Sequence, residues 1–233
     1  KGVKAIAAMG AAEYKTNRGV QELGELGTAG VVMGQQFAGG LPTRNYQSGV
    51  FDGCEDISGE RMAETILVDR DTCYACVVRC KREVAHDGKY SFKRELGGPE
   101  YETLASFGSY CDVRDLTAVS RANALCNDWG LDTISAGATI AWAMECFEDG
   151  ILTLEQTDGL DLRFGDADAN VHGKCRFHVF AMSGALLPAF HGISRQLASG
   201  KTAAVRIERE VFRSETVTVA GGGHAIGKRL AVG

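Results

Sequence analysis

No basic arm or basic stripe interrupts this 233-residue chain, whose formal net charge is -5. That excludes nucleic-acid binding as a main role, because backbone phosphates are held by clustered cations. No apolar run approaches the roughly 18 residues a membrane-spanning helix needs, and the N-terminus carries no apolar signal-peptide core. Proline is scarce (Pro42, Pro99 and Pro188), and neither an internal repeat nor a low-complexity segment is found. Glycine, by contrast, is abundant. The length suffices for one large domain or two small ones with a real core. The chain opens on Lys1 rather than Met and reads as an excerpt.

Eight cysteines stand at positions 54, 73, 76, 80, 111, 126, 146 and 175. Dense disulfides belong to small secreted domains, whereas this chain is large and unsignalled, so a reducing cytoplasm is the expected setting. Three thiols fall within Cys73-Tyr74-Ala75-Cys76-Val77-Val78-Arg79-Cys80, at C-x2-C-x3-C spacing. Thiolates this close point to a soft metal centre, and an iron–sulfur cluster is favoured. A structural zinc site would want four ligands, often from two Cys-x2-Cys pairs, and no second pair exists. The spacing also departs from the C-x2-C-x2-C of bacterial ferredoxins. A fourth ligand is required, for which Cys54, Cys111, Cys126, Cys146 and Cys175 are candidates, as is a residue outside this chain.

Along the chain, residues 1–9 alternate apolar and small side chains, which suggests a strand. Residues 19–40 are Gly-punctuated and suggest short helical or loop pieces. Leu41-Pro42-Thr43-Arg44-Asn45-Tyr46 reads as extended. Ser58 can cap a helix through Leu67 with Met62, Ala63 and Ile66 on its apolar face. Residues 84–93 read as a solvent-exposed hairpin or loop around Asp87-Gly88, with His86 solvated. Gly97-Gly98-Pro99-Glu100 predicts a helix start with Pro at the first helical position. A helix follows from about Asp115 to Asp128, with Val113, Leu116, Val119, Ala122 and Leu125 at helical spacing and Gly130 ending it. Asp132 or Ser135 starts another, through about Phe147, which Gly150 can close. From about Val171 no period holds, although residues 217–220 are strand-like. The central part is thus helical with short connections.

Four segments in one order carry a resemblance. Arg70-Asp71-Thr72-Cys73-Tyr74-Ala75-Cys76 through Cys80-Lys81-Arg82 resembles the cluster loop of the tungsten- or molybdenum-containing aldehyde ferredoxin oxidoreductases. Leu41-Pro42-Thr43-Arg44-Asn45 is similar to a segment preceding that loop. Gly98-Pro99-Glu100-Tyr101-Glu102-Thr103 is similar to the start of the family's active-site helix. Cys126-Asn127-Asp128-Trp129-Gly130-Leu131-Asp132-Thr133-Ile134-Ser135 is similar to its first pterin-binding motif.

The resemblance implies a mainly α, multihelical domain, as in the family's central and C-terminal domains, over residues 1–165; residues 166–233 stay unassigned. It implies a [4Fe-4S] cluster held in part by Cys73, Cys76 and Cys80, beside a tungsten (or molybdenum) bis-pterin. Asn127, Gly130, Leu131 and Asp132 take the pterin-binding positions, with Asn127 standing where the family has an acid. Glu100 corresponds to the active-site glutamate, expected as a buried carboxylate that accepts a proton; Glu102 is a second candidate. The bland readings are a first-turn acid at Glu100 and a plain helix cap at Asp132. An aldehyde would be the substrate and ferredoxin or an electron-transfer subunit the partner, with homo-oligomerisation open.

The family's N-terminal pterin-covering domain, its second pterin motif and its fourth cluster cysteine have no counterpart here. None of His172, His178, His191 and His224 can be matched to the family's active-site histidine. No Glu-x-x-His pair occurs in residues 110–125, so no interfacial iron is expected. Two other classes stay open: an Fe–S electron-transfer module without tungstopterin, and a structural zinc-loop protein.

Overall fold

The computed structural model of the chain describes residues 1–157, 159–169 and 171, with the backbone of Ser214–Thr216 and Lys228–Leu230. Seven α-helices carry the described part: α1 Gly2–Thr16, α2 Arg18–Leu26, α3 Val31–Ala38, α4 Gly59–Thr65, α5 Tyr101–Phe107, α6 Leu116–Trp129 and α7 Thr133–Glu148. A hairpin of β1 Leu67–Asp71 and β2 Lys81–Val84 lies between α4 and α5. A second antiparallel pair joins β3 Ser214–Thr216 to β4 Lys228–Leu230. No helix among the described residues is long and apolar enough to cross a membrane. The mainly helical class expected from the sequence is the class observed.

Capping follows side-chain chemistry. Asn17, Ser58, Asp115 and Asp132 each accept a backbone N–H at the start of α2, α4, α6 and α7, satisfying donors that the first turn leaves without partners. Gly130 ends α6 at φ 67°, ψ 37°, the left-handed geometry that glycine adopts without steric cost.

Short α5 is the centre of the core. Thr103, Leu104, Ala105, Ser106 and Phe107 are all buried, against a cluster that includes Phe51, Ile57, Met62, Ile140 and Met144. Its contact with α7 is close. A Cβ on Gly137 would lie 2.5 Å from the Ser106 carbonyl oxygen, and the Ser106 hydroxyl donates to the Thr133 carbonyl at 3.2 Å. Thr103 meets Thr133 hydroxyl to hydroxyl at 2.9 Å. The pairs Thr103–Thr133 and Ser106–Gly137 ascend together, so α5 and α7 run parallel with their starts side by side.

Several expectations are corrected. Residues 2–9 are helical, because the Ala-rich α1 has high helix propensity and no sheet partner to reward alternation. The segment 41–46 is extended only to Thr43, which bridges Ser48. Arg44, Asn45 and Tyr46 then turn left-handed at φ 47°, 48° and 68°. Tertiary bonds hold this strained turn: Arg44 and Asn45 N–H donate to the Ser109 and Tyr110 carbonyls at 3.0 Å, and the Arg44 guanidinium pairs with Asp112 and Glu148 at 2.9 and 2.7 Å. Helix α4 stops at Thr65, since Leu67 is taken into β1, and Ala63 faces solvent. Helix α5 starts at Tyr101, one residue after Glu100, so Pro99 precedes the helix. In 84–93 the loop does double back, with His86 bridging Phe92, but Val84, Tyr90 and Phe92 are buried and His86 is half-buried, 6.0 Å from the Phe92 ring. The strand-like run 217–220, Cys175, His172, His178, His191 and His224 lie outside the described residues.

The α5–α7 contact predicts the most sensitive glycine of the core. Gly137→Ala is expected to lower stability by about 1–3 kcal/mol through overpacking, read as a lower urea midpoint with an unchanged m-value. An unchanged midpoint would mean that the two helices can separate freely.

Candidate functional site

The three clustered cysteines lie on the loop of the β1–β2 hairpin. The register pairs Asp71 with Lys81 and Arg70 with Arg82, so residues 72–80 form the connection. Cys73 is exposed, and Cys76 and Cys80 are half-buried. A tight turn brings the Cys76 N–H to the Cys73 carbonyl at 3.0 Å, and the Thr72 hydroxyl donates to the Cys76 carbonyl at 2.7 Å. Ala75 and Arg79 hold left-handed conformations at φ 58° and 56° without being glycine, a local strain that surrounding contacts must sustain.

Arginines anchor the loop. Arg82 alternates inward with Val84 on β2 and is buried. Its guanidinium donates to the carbonyls of Glu25 at 2.5 Å, Gly24 at 3.0 Å and Arg79 at 2.6 Å. Arg70 also donates to Gly24, at 3.1 Å, and Arg79 to the Arg70 carbonyl at 2.6 Å. Two of these acceptors lie in the last turn of α2, where the helix dipole favours cations. Burial lowers the Arg82 pKa, the Arg70 charge adds to that, and the charges of Cys80 and Glu100 oppose it.

The same arginine links the loop to Glu100. The Gly98 N–H donates to the Arg82 carbonyl at 2.8 Å, and a Cβ on Gly98 would lie 2.8 Å from the Arg82 Cβ. On the other side, Asn123 and Asn127, four residues apart on one face of α6, donate to the carbonyls of Gly97 and Leu96 at 3.2 and 2.6 Å. The segment leading to Glu100 is thus held between β2 and α6. Thr28 completes the join: its hydroxyl accepts the Tyr101 N–H at 2.9 Å and donates to the Glu100 carboxylate. Thr28 therefore caps α5 from 73 residues away, a task Glu100 at the N-cap position does not perform.

The structure brings Cys80, Arg82, Thr28 and Glu100 into one neighbourhood, and the parallel α5–α7 pair puts Asp132 at the same end as Glu100. Glu100 is exposed, not buried as expected, because it precedes the helix and points away from the core. Glu102, in the first turn, is exposed as well, and its charge helps raise Tyr101 and Tyr110 after burial. Of the pterin positions, Asn127, Gly130 and Asp132 are exposed and Leu131 is half-buried. Asp132 caps α7 through Ser135 N–H at 2.7 Å. Asn127 spends one amide N–H on the scaffold.

Four of the five candidate fourth ligands, Cys54, Cys111, Cys126 and Cys146, are buried in the apolar core. Burial pushes the Cys54 thiol up and the Cys146 thiol up to about 12, with Glu145 and Asp149 adding to the latter. Among the described residues no group of three His, Cys, Asp or Glu is gathered to hold an ion. Two contributors escape a reading of the sequence. Arg82 leaves one signal, a cation on the inward phase of a strand two residues after Cys80; Thr28 leaves none.

Known proteins resemble this chain over most of its length. The family described as "Aldehyde ferredoxin oxidoreductase, domains 2 & 3" matches residues 5–172. The "Tungsten-containing aldehyde ferredoxin oxidoreductase" of Thermococcus kodakarensis is 38% identical over 150 residues, covering 63% of this chain and 24% of that protein. Its namesake in Pyrococcus furiosus is 37% identical over 147 residues, with the same coverage. The "Aliphatic sulfonate oxidoreductase, WOR-like subunit" of Pyrococcus furiosus is 28% identical over 161 residues, covering 68% of this chain and 24% of that protein. The chain therefore spans about a quarter of the length of these relatives.

Thiol burial predicts an alkylation order. Only thiolate reacts, so iodoacetamide at pH 8 should label Cys73 well before Cys146 in the folded chain, as read by peptide mass. The Cys146 pKa is raised above its ordinary 9.0, so its contribution to stability is complete below pH 9 and is lost as pH rises towards about 12. Early labelling of Cys146 would contradict this burial.

Proposed function

Because this chain belongs to the aldehyde ferredoxin oxidoreductase family, we propose that it is the cluster- and pterin-binding part of an oxidoreductase converting aldehydes to carboxylic acids. The observation that carries the reading is the single neighbourhood of Cys80, Arg82, Thr28 and Glu100, which joins a thiol loop to a carboxylate. The balanced conversion takes an aldehyde and water to a carboxylate, three protons and two electrons. When bound, the tungsten–pterin centre would accept the electron pair and the [4Fe-4S] cluster would pass electrons singly to ferredoxin or an electron-transfer subunit.

The donor chemistry of the chain fits these groups. Cys73, Cys76 and Cys80 offer three soft sulfurs on one strained loop surrounded by arginines, which suits an anionic thiolate centre. The exposed α6–α7 turn offers Asn127, Gly130, Leu131 and Asp132 to a pterin, with the Asp132 carboxylate as acceptor and Asn127 weaker than an acid. Glu100 is the proton acceptor. Its carboxylate is oriented by the Thr28 hydroxyl and lies near Arg82, which places an acceptor oxygen beside the thiol loop. Residues 1–165 form the family-like unit, with Ala169 and Val171 packed onto its edge; residues 166–233 carry no assigned role. A cytoplasmic, reducing setting suits free thiols.

Aldehyde is preferred over sulfonate as the substrate because the aldehyde enzymes match at higher identity than the sulfonate subunit. Metal analysis distinguishes the classes: tungsten with iron and sulfide supports the full reading, iron and sulfide alone an electron-transfer module, and zinc alone a structural loop.

Anaerobic reconstitution of Cys76→Ser should lose most of the bound iron; iron content equal to wild type would refute the loop assignment. In a full-length enzyme, Glu100→Gln should retain tungsten and lose most turnover, and wild-type turnover would remove Glu100 from the chemistry.

A further inference from the structure

Arg82 is only 4% exposed, yet none of the ion pairs among the described residues includes it. Three backbone carbonyls take N–H groups from its two terminal nitrogens, while its Nε is buried without a hydrogen-bond partner. Carbonyl dipoles solvate a guanidinium in part, but a full buried charge needs an anion and a buried donor needs an acceptor. Gly27 packs tightly against both the arginine and the end of the thiol loop. Gly27, at φ 66°, has no side chain there; a Cβ would lie 2.7 Å from the Cys80 carbonyl oxygen and 3.2 Å from the Arg82 Nε. Two groups with negative charge to offer act on Arg82, Cys80 at the end of the hairpin loop and Glu100.

We propose that Arg82 is a positioning residue and the counter-charge of the anionic sulfur centre held by Cys73, Cys76 and Cys80, with Nε donating to that sulfur. This rests on the cluster reading above and adds a cause for the electron affinity of the centre. A cation beside an iron–sulfur centre favours the more negative, reduced form, and a hydrogen bond to its sulfur acts in the same direction. Glycine at position 27 keeps the arginine close to the loop. The inward position of Arg82 on β2 makes the charge part of the hairpin rather than of a mobile surface.

The test uses the whole chain, reconstituted anaerobically with ferrous iron and sulfide in a small thiol that can supply the remaining ligand. Iron, sulfide, circular dichroism and the one-electron midpoint potential against dithionite-poised mediators are measured. Arg82→Gln should hold iron as wild type does and show a reduction equilibrium about tenfold less favourable, which is 59 mV for one electron. Arg82→Lys, which keeps the charge, should recover more than half of that difference. Unchanged potential in a fully loaded Arg82→Gln protein overturns the proposal and leaves Arg82 a plain clamp. Should Arg82→Gln lose iron, retention by Arg82→Lys supports the counter-charge, whereas loss in both, with helix content intact, overturns it. Failure of the wild-type chain to take up iron and sulfide instead removes the cluster reading itself.

Discussion

Helices α5 and α7 approach until the Gly137 backbone lies against Ser106, and the helix starts at the candidate site depend on that approach. A side chain at 137 would push the helices apart, and the Thr103–Thr133 hydroxyl contact would open with them. Because the two helices are parallel, their starts share one end of the fold. Glu100 and Asp132, the N-cap residues of the two helices, lie at the same end for that reason. A crossing of this kind depends on small residues, since only they let two backbones come so near.

The cysteine hairpin joins this helical frame through backbone carbonyls as well as through the packing of Leu67 and Val84 on the core. Gly24 and Glu25, in the last turn of α2, receive the guanidinium groups of Arg70 and Arg82. The carbonyl end of a helix is a partial negative charge, so it can hold cations without a carboxylate. Immediately after it, Gly27 and Thr28 pass close to Cys80 and Glu100. One helix end thus serves both the cysteine loop and the carboxylate, and this is the physical basis for treating them as one site.

Much of the helical architecture was readable before any coordinates. Asp115, Gly130, Asp132 and Gly150 act through local chemistry, so the bounds of α6 and α7 followed from spacing and capping alone. Where a segment depends on a distant partner, the reading failed. The left-handed run at Arg44, Asn45 and Tyr46 exists because Asp112, Glu148 and two carbonyls on the far side of the fold hold it. The exposure of Glu100 has the same origin: its helix is capped by Thr28, leaving the carboxylate at the edge. Helix α1 was misjudged for a different reason, since alternation of apolar and small side chains over nine residues does not distinguish a strand from an Ala-rich helix.

The sequence by itself determined the family, the thiol loop and the helical class, because spacings of cysteines, caps and apolar residues are local and survive without knowledge of the fold. The tertiary structure alone decided that Arg82 is buried beside the loop, that Thr28 orients Glu100, and that two acidic helix starts lie at one end. Those relations join residues up to 72 positions apart. They depend on how closely two backbones can pack and on where a buried charge finds its acceptors, which no one-dimensional spacing encodes.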